Sequence, residues 1–330
     1  LALLVIFLII LIKEHRLSAL SIITLGVGVG LTGVLPSYLG LIFTTLIMSF
    51  GFHYYETTNQ SLTLQYFNHL SSPWVFGKLR SYAAATNIAV GVFIFIISYL
   101  LSYQIIYGFI GGLIVFAGIR GLKQNPTRNT VVLQHKKMIL RKRYWLYYFL
   151  TFMSGARRQI FVAFAVFLLV KKFEFSVQEI TLLFILNNII NYFLSPLIGR
   201  AIIRYGERRV LSLEYFSLIF IFLAYAVVES KSLVAILYIF DHIFFNFSIG
   251  IRTYFQKIGD PRDIAPSMAA GFTINHIAAV IIPAVGGLLW IIDYRIPFIA
   301  GAGMSVISLV AVQLISGSIR KAHNAVIKSD

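Results

Sequence analysis

Residues 152–170 read FMSGARRQIFVAFAVFLLV. Two adjacent arginines, Arg157 and Arg158, stand in a run that is otherwise apolar and that begins near residue 144. A helix over 144–170 is long enough to cross a hydrocarbon core of about 30 Å. Each arginine near the middle of such a helix costs roughly 2.5–3.5 kcal/mol on insertion scales, so it has to meet water or a partner. The composition of the 330 residues decides for the membrane: 58% are hydrophobic, 12% are charged, and the mean hydropathy is +0.84. A soluble chain carries about 25% charged residues, and surface-to-volume scaling leaves it nowhere to hide so much apolar surface. The expected fold class is all-α and polytopic.

The net charge of +16 is spread in short basic clusters between apolar runs. That placement suits loops facing anionic lipid and argues against nucleic acid as a partner. The chain has no cysteine, which excludes a disulfide framework and a thiolate nucleophile or metal ligand. It begins with Leu1 inside the apolar run LALLVIFLIILI, residues 1–12, which is too short to span. That run is read as the end of a helix whose beginning lies outside the sequence.

Runs long enough to span fall near 18–35, 38–68, 82–101, 104–122, 144–170, 177–199, 210–228, 232–256, 266–290 and 295–316. The longest polar interruption, 123–143, is the expected linker between an N-terminal bundle (1–122) and a six-helix C-terminal bundle (144–317), followed by a tail (318–330). With the linker placed in the cytoplasm, 21 basic residues fall on its side of the membrane and four on the other, a strong positive-inside signal. A shift of 188 residues lays 64–94 on 252–282 without a gap. Tyr66, Phe67, Pro73, Asn87, Val92 and Ile94 then face Tyr254, Phe255, Pro261, Asn275, Val280 and Ile282. Two related halves joined by a basic linker is the parallel-repeat plan of one large transporter class.

The chain resembles the major facilitator superfamily over essentially its whole length. The most specific match is GRAIIRYGERRVL, residues 199–211, which is similar to the family's cytoplasmic loop motif, Gly-x-x-x-Asp-Arg-x-Gly-Arg-Arg. Gly199, Arg204, Gly206 and Arg208 match, and the resemblance makes them a cytoplasmic gating motif. Ile203 stands where the family has its acid and Glu207 where it often has a base. By the family's count of twelve helices the sequence starts late in the second. The resemblance also implies that 38–68, 144–170 and 232–256 line a central cavity, and that the two bundles rock about a site near the midplane.

Those three segments carry Glu56 with His53, Arg157 with Arg158, and Asp241 with His242. A guanidinium presents a planar donor fork to carboxylate or phosphate, so at least one arginine is a candidate for binding an anionic group. The alternative is that both are internal partners of Glu56 or Asp241. Asn275 and His276 complete the expected solute contacts. Glu56, Asp241 and His242 are the expected proton-coupling groups, since alternating access can move a carboxyl group between wet and dry surroundings. Asn187, Asn188 and Asn191 read as bonds between helices. GVGLTG, residues 28–33, satisfies Gly-x-Gly-x-x-Gly but lies in an apolar helix, where small residues serve packing rather than a nucleotide.

The sequence therefore reads as a secondary transporter of the cytoplasmic membrane, not an enzyme, without cofactor or metal. Its expected solute is small and anionic or zwitterionic, with proton coupling. Efflux of amphiphilic or cationic compounds is the alternative, and a non-transporting membrane sensor or assembly partner is a third reading. The bilayer and the solute are the expected partners, and a monomer is the expected state.

Overall fold

In the computed structural model the described residues are 12–124, 132–135 and 140–327. Among them there is no strand, and nearly all are helical. The long helices are α1 (Glu14–Val34), α2 (Tyr38–Tyr66), α3 (Ser72–Ile97), α4 (Tyr103–Lys123), α5 (Lys142–Lys171), α6 (Val177–Tyr205), α7 (Glu207–Val227), α8 (Lys231–Ile258), α9 (Pro261–Ile292) and α10 (Arg295–Val312). A final helix, α11, covers Ile315–Ile327 and so takes in most of the segment expected as a tail. The apolar run 1–12 lies almost wholly outside the described residues, as do 125–131 and 136–139 of the linker and the last three residues of the chain.

Nine helices among the described residues are long and apolar enough to cross a membrane. The exception among the long ones is α2. Its second half, ETTNQSLTLQY, is polar, and Thr57, Thr58, Gln60, Ser61 and Thr63 are buried. Its hydroxyls are satisfied within the helix, Thr57 donating to the carbonyl of His53 at 2.9 Å and Thr58 to that of Tyr54 at 2.8 Å. A helix can hold polar side chains inside an apolar solvent when each finds such a partner.

Helices α3 and α9 begin well before the apolar runs at 82 and 266 that announce them. The apolar run marks the hydrocarbon, whereas the helix starts at a cap or a proline. Pro73 and Pro261, equivalent under the 188-residue shift, both sit in the first turn of their helix. The shift therefore lays one helix–turn–helix segment of the sequence on another.

The chain forms two compact units. One comprises Leu1–Tyr66, Ala89–Leu140 and Asp260–Phe272, the other Phe67–Ile88, Arg141–Gly259 and Thr273–Asp330. In the first unit α1 packs on α2 and α4. A β-carbon on Gly111 would lie 2.6 Å from the backbone nitrogen of Gly30, and one on Gly28 would lie 2.9 Å from that of Met48. The GVGLTG glycines are thus the contact surface of two helix crossings, the small-residue packing that lipid-embedded helices use. Residues 132–135 of the linker are pinned in the same unit. Gln134 donates to the carbonyl of Pro261 at 2.8 Å and accepts from the amide of Ala265 at 2.9 Å, while His135 Nδ1 lies 2.7 Å from Asp263 Oδ1.

In the second unit the beginning of α3 lies on α6. A β-carbon on Gly77 would fall 2.4 Å from the carbonyl oxygen of Ser195, and one on Gly199 would fall 2.4 Å from that of Pro73. Ser81 adds a bond to the carbonyl of Tyr192 at 2.6 Å, and Asn87 donates to Asn188 at 3.1 Å. These contacts explain why residues 67–88 belong with the second unit. Its apolar core joins α5, α7, α8 and α10 through Phe161, Leu168, Leu218, Phe222, Val234 and Phe298.

Candidate functional site

Helices α5 and α8 are both irregular in their middles. Two residues past Arg158, α5 passes through a π-helical stretch, Ile160–Ala165. Four residues past His242, α8 passes through a 3-10 turn, Asn246–Ser248. Such interruptions re-aim side chains and gather at functional sites. Phe161 joins the two helices here, its ring 5.0 Å from that of Tyr238 and 5.9 Å from that of His242.

The adjacent arginines part company at this level, since consecutive residues on a helix point about 100° apart. Arg157 turns inward and is only 2% exposed. It donates to the hydroxyl of Ser308, which in turn donates to the carbonyl of Met304 at 2.8 Å. Its guanidinium carbon lies 4.3 Å above the ring of Tyr215, and Nη2 is 3.9 Å from Glu214 Oε1. Glu214 is fully buried on α7, and Asp241, 1% exposed on α8, also lies within the electrostatic reach of Arg157. Both carboxylate oxygens of Glu214, Asp241 Oδ2, Arg157 Nε and Nη2, and the hydroxyls of Tyr215 and Tyr225 have no hydrogen-bond partner among the described residues. The interior of this unit therefore holds one guanidinium and two carboxyl groups with unused hydrogen-bonding capacity, a costly arrangement in a dry interior.

Arg158 is exposed, with its guanidinium 5.2 Å from the ring of Phe245 on α8. It lies three residues from Gly155 on nearly the same face of α5. A β-carbon on Gly155 would meet the side-chain amide carbon of Asn275 at 3.0 Å and its nitrogen at 3.2 Å. The glycine thus lets α9 approach α5 and brings Asn275 within a turn of Arg158. His276 is half-buried beside it in sequence.

His242 ends a hydrogen-bonded chain with one direction. Arg80 Nη1, which can only donate, gives to Asn246 Oδ1 at 2.5 Å. The amide nitrogen of Asn246 then donates to Asn191 Oδ1 and, at 2.8 Å, to the carbonyl of His242. The amide nitrogen of Asn191 donates to His242 Nε2 at 2.7 Å. Because a permanent donor starts the chain, His242 is left as the acceptor at its end. Asn187 and Asn188 are buried beside it on α6, and neither amide atom of Asn187 is partnered among the described residues.

Glu56 lies in the first unit, where Gln60 donates to its Oε1 at 2.6 Å. His53, one turn earlier, has Nδ1 2.6 Å from the carbonyl of Ser49 and its ring edge-on to Phe272 at 5.4 Å.

The loop motif resolves into separate parts. Gly199 makes the crossing with α3, and Gly206, at φ +82°, turns the chain from α6 into α7 in a backbone conformation that favours glycine. Arg204 stacks 5.3 Å from the ring of Tyr205, and Arg208 is exposed. Glu207, standing where the family often has a base, is buried and accepts from Lys257 Nζ at 2.8 Å. The loop keeps a charge pair with its signs exchanged, the acid in the loop and the base at the end of α8.

Sequence reasoning passed over Glu214, Arg80 and Asn246. Glu214 was the legible one, an acid within the run 210–228, but its place one turn from the start of that run reads as interfacial. Arg80 lies among residues expected in a loop, and only the early start of α3 carries it into the unit.

These features describe a polytopic helical membrane protein with buried charged groups in its interior. Residues 147–326, more than half of the chain, match the family model of the Major Facilitator Superfamily, and the chain belongs to that family. Membership implies secondary transport of a small solute across a membrane. Solved structures share the fold at low identity. FucP, a Major Facilitator Superfamily transporter in the outward conformation, superposes with a TM-score of 0.78 at 12% identity over 95% of this chain and 86% of that one. The human organic anion transporter MFSD10 (TETRAN) gives 0.73 at 11% identity, over 91% and 77% of the two chains. A bacterial homologue of the iron transporter ferroportin, in an outward-facing state, gives 0.60 at 16% identity, over 98% and 84%. No curated protein sequence matches this chain significantly.

Proposed function

We propose that the chain is a proton-coupled carrier of a small anionic or zwitterionic solute in the cytoplasmic membrane, working by alternating access of the halves 1–122 and 144–317. The observation that carries this reading is the division of labour between the two arginines. Arg158 offers an exposed guanidinium on the face of α5 that also meets Asn275, so the solute's anionic group is assigned to Arg158, with Asn275 and His276 as neighbouring polar contacts. Arg157 is assigned to the proton. One guanidinium cannot neutralise both Glu214 and Asp241, and a proton on one carboxyl group completes the charge balance of a site closed to water. His242, the acceptor at the end of the chain from Arg80, is the second proton-carrying group. Glu56, bonded to Gln60, is the candidate in the other unit. The fold serves both chemistries, being shared with a fucose:proton symporter and an organic anion transporter, although the residues and not that likeness carry the reading.

The test uses the full-length protein in proteoliposomes under an imposed pH gradient, challenged with organic anions, cations and neutral solutes. An anion-evoked flux that Arg158→Gln weakens by roughly 10–100-fold, and that Glu214→Gln uncouples from the pH gradient, is expected. Flux of cations alone, untouched by either change, would overturn the reading in favour of cation efflux.

A further inference from the structure

The end of the second unit that carries the loop motif has a feature that lies apart from the charged interior around Arg157. Between α6 and α7 runs an open apolar cleft of ≈ 370 Å³. Leu194, Leu197, Ala201 and Leu213 form its walls, and Tyr205 and Arg209 lie at the end where α6 turns into α7. The surface around it is equally apolar: Phe193, Ile203, Phe216 and Phe220 are all exposed. In a membrane-spanning helix pair such a surface meets acyl chains.

At the same end Arg200, Arg204, Arg208 and Arg209 are exposed within ten residues. None of the four pairs with a carboxylate among the described residues. The acid of the loop, Glu207, is buried and already joined to Lys257. Arg204 is held over the ring of Tyr205, which borders the cleft, so Arg204 and Arg209 are both anchored at its polar end. A dry groove for a hydrocarbon chain that ends in two unmatched guanidinium groups complements an amphiphile with an anionic head. Arginine's planar fork suits a phosphate diester, and basic sites between membrane helices hold anionic lipid heads by this chemistry.

We propose that the α6–α7 cleft binds an anionic phospholipid of the surrounding leaflet, one acyl chain lying in the cleft and the phosphate held by Arg204 and Arg209. The unbalanced charge of the loop is then neutralised by lipid rather than by protein.

The test is native mass spectrometry of the full-length protein from detergent micelles doped with equal amounts of dioleoylphosphatidylglycerol and dioleoylphosphatidylcholine. The wild type is expected to retain phosphatidylglycerol preferentially. Arg204→Gln and Arg209→Gln should each reduce that preference roughly fivefold, the equivalent of about one interfacial charge. Ala201→Leu, which leaves every arginine in place but fills the cleft, should also reduce retention. Thermal unfolding of each variant checks that it is folded, as expected for changes at exposed or cleft-lining positions. Equal retention of the two lipids would overturn the proposal, and so would preference unchanged by the arginine variants. Loss with the arginine variants but not with Ala201→Leu would overturn the cleft and leave only a diffuse basic surface. Full displacement of the lipid by millimolar inorganic phosphate would likewise overturn it, assigning the arginines to a free anion. Retention of an acidic protein in place of lipid would reassign the surface to a protein partner and sink the proposal.

Discussion

Arg157 and Arg158 share one turn of one helix and have opposite surroundings. Arg157 is enclosed by Ser308, Tyr215 and Glu214 and lies within the electrostatic reach of Asp241; Tyr215, Glu214 and Asp241 all carry atoms that lack a partner among the described residues. Arg158 is exposed beside an aromatic ring, on the face where Gly155 admits α9. The sequence treats them as a pair, but the physics separates them. Removing the first leaves buried carboxyl groups without a counter-charge, whereas removing the second takes away an exposed guanidinium and little of the packing.

The largest expected effect tests that separation directly. Arg157→Met should destabilise the protein by about 3–5 kcal/mol, the cost of stranding a buried charge. Loss of monodisperse protein in size-exclusion chromatography, or a much lowered melting temperature, would show it. Arg157→Met combined with Glu214→Met should recover much of that stability, because an apolar replacement of the whole pair is often neutral. If the double variant is no more stable than the single one, the cluster is not organised around that pair.

Arg158→Gln is expected to leave the melting temperature nearly unchanged and to weaken anionic solute transport by roughly 10–100-fold, the scale of one lost charged hydrogen bond. Flux measured in proteoliposomes against solute concentration should show the change mainly in KM. A large fall in stability instead would merge the two arginines into one structural role.

Gly155→Ala sharpens the same contrast where α5 meets α9. Its new methyl group must displace Asn275, an overpacking that costs about 1 kcal/mol or somewhat more. Solute affinity should fall several-fold while the pH dependence of transport, assigned to the Arg157 side, is kept. The smallest effect is expected of Asn191→Ala, which cuts the chain between Asn246 and His242. Interhelical hydrogen bonds in lipid are worth about 0.6 kcal/mol on average, so thermal unfolding should shift little. A shift in the pH profile of transport would place His242 on the proton path.

Several features of the site were legible from residue types alone. Arg157, Arg158, Asp241 and His242 announce themselves because a charge in an apolar run needs a reason to be there. Their partners did not announce themselves. Glu214 looks like a loop-side acid, and Ser308 is an ordinary serine in an apolar helix. Neither has any sequence relation to Arg157 that spacing could reveal, since the contacts span three different helices. The loop motif teaches the same lesson. Glu207 reads as a departure from the family pattern until Lys257, fifty residues away, is found against it.

The amino-acid sequence by itself determined that the chain is helical and embedded in lipid, because hydropathy and helix length answer to the solvent and not to any particular neighbour. It also determined the family of folds, through its hydropathy pattern and the loop motif at 199–211. Only the tertiary structure decided which arginine faces inward, where α3 and α9 begin, and which carboxyl groups share a guanidinium. Those outcomes depend on the rotation of each helix about its own axis and on close crossings at glycines such as Gly77, Gly155 and Gly199. Rotation is set by the packing of neighbours, and no single helix records in its own residues what will lie against it.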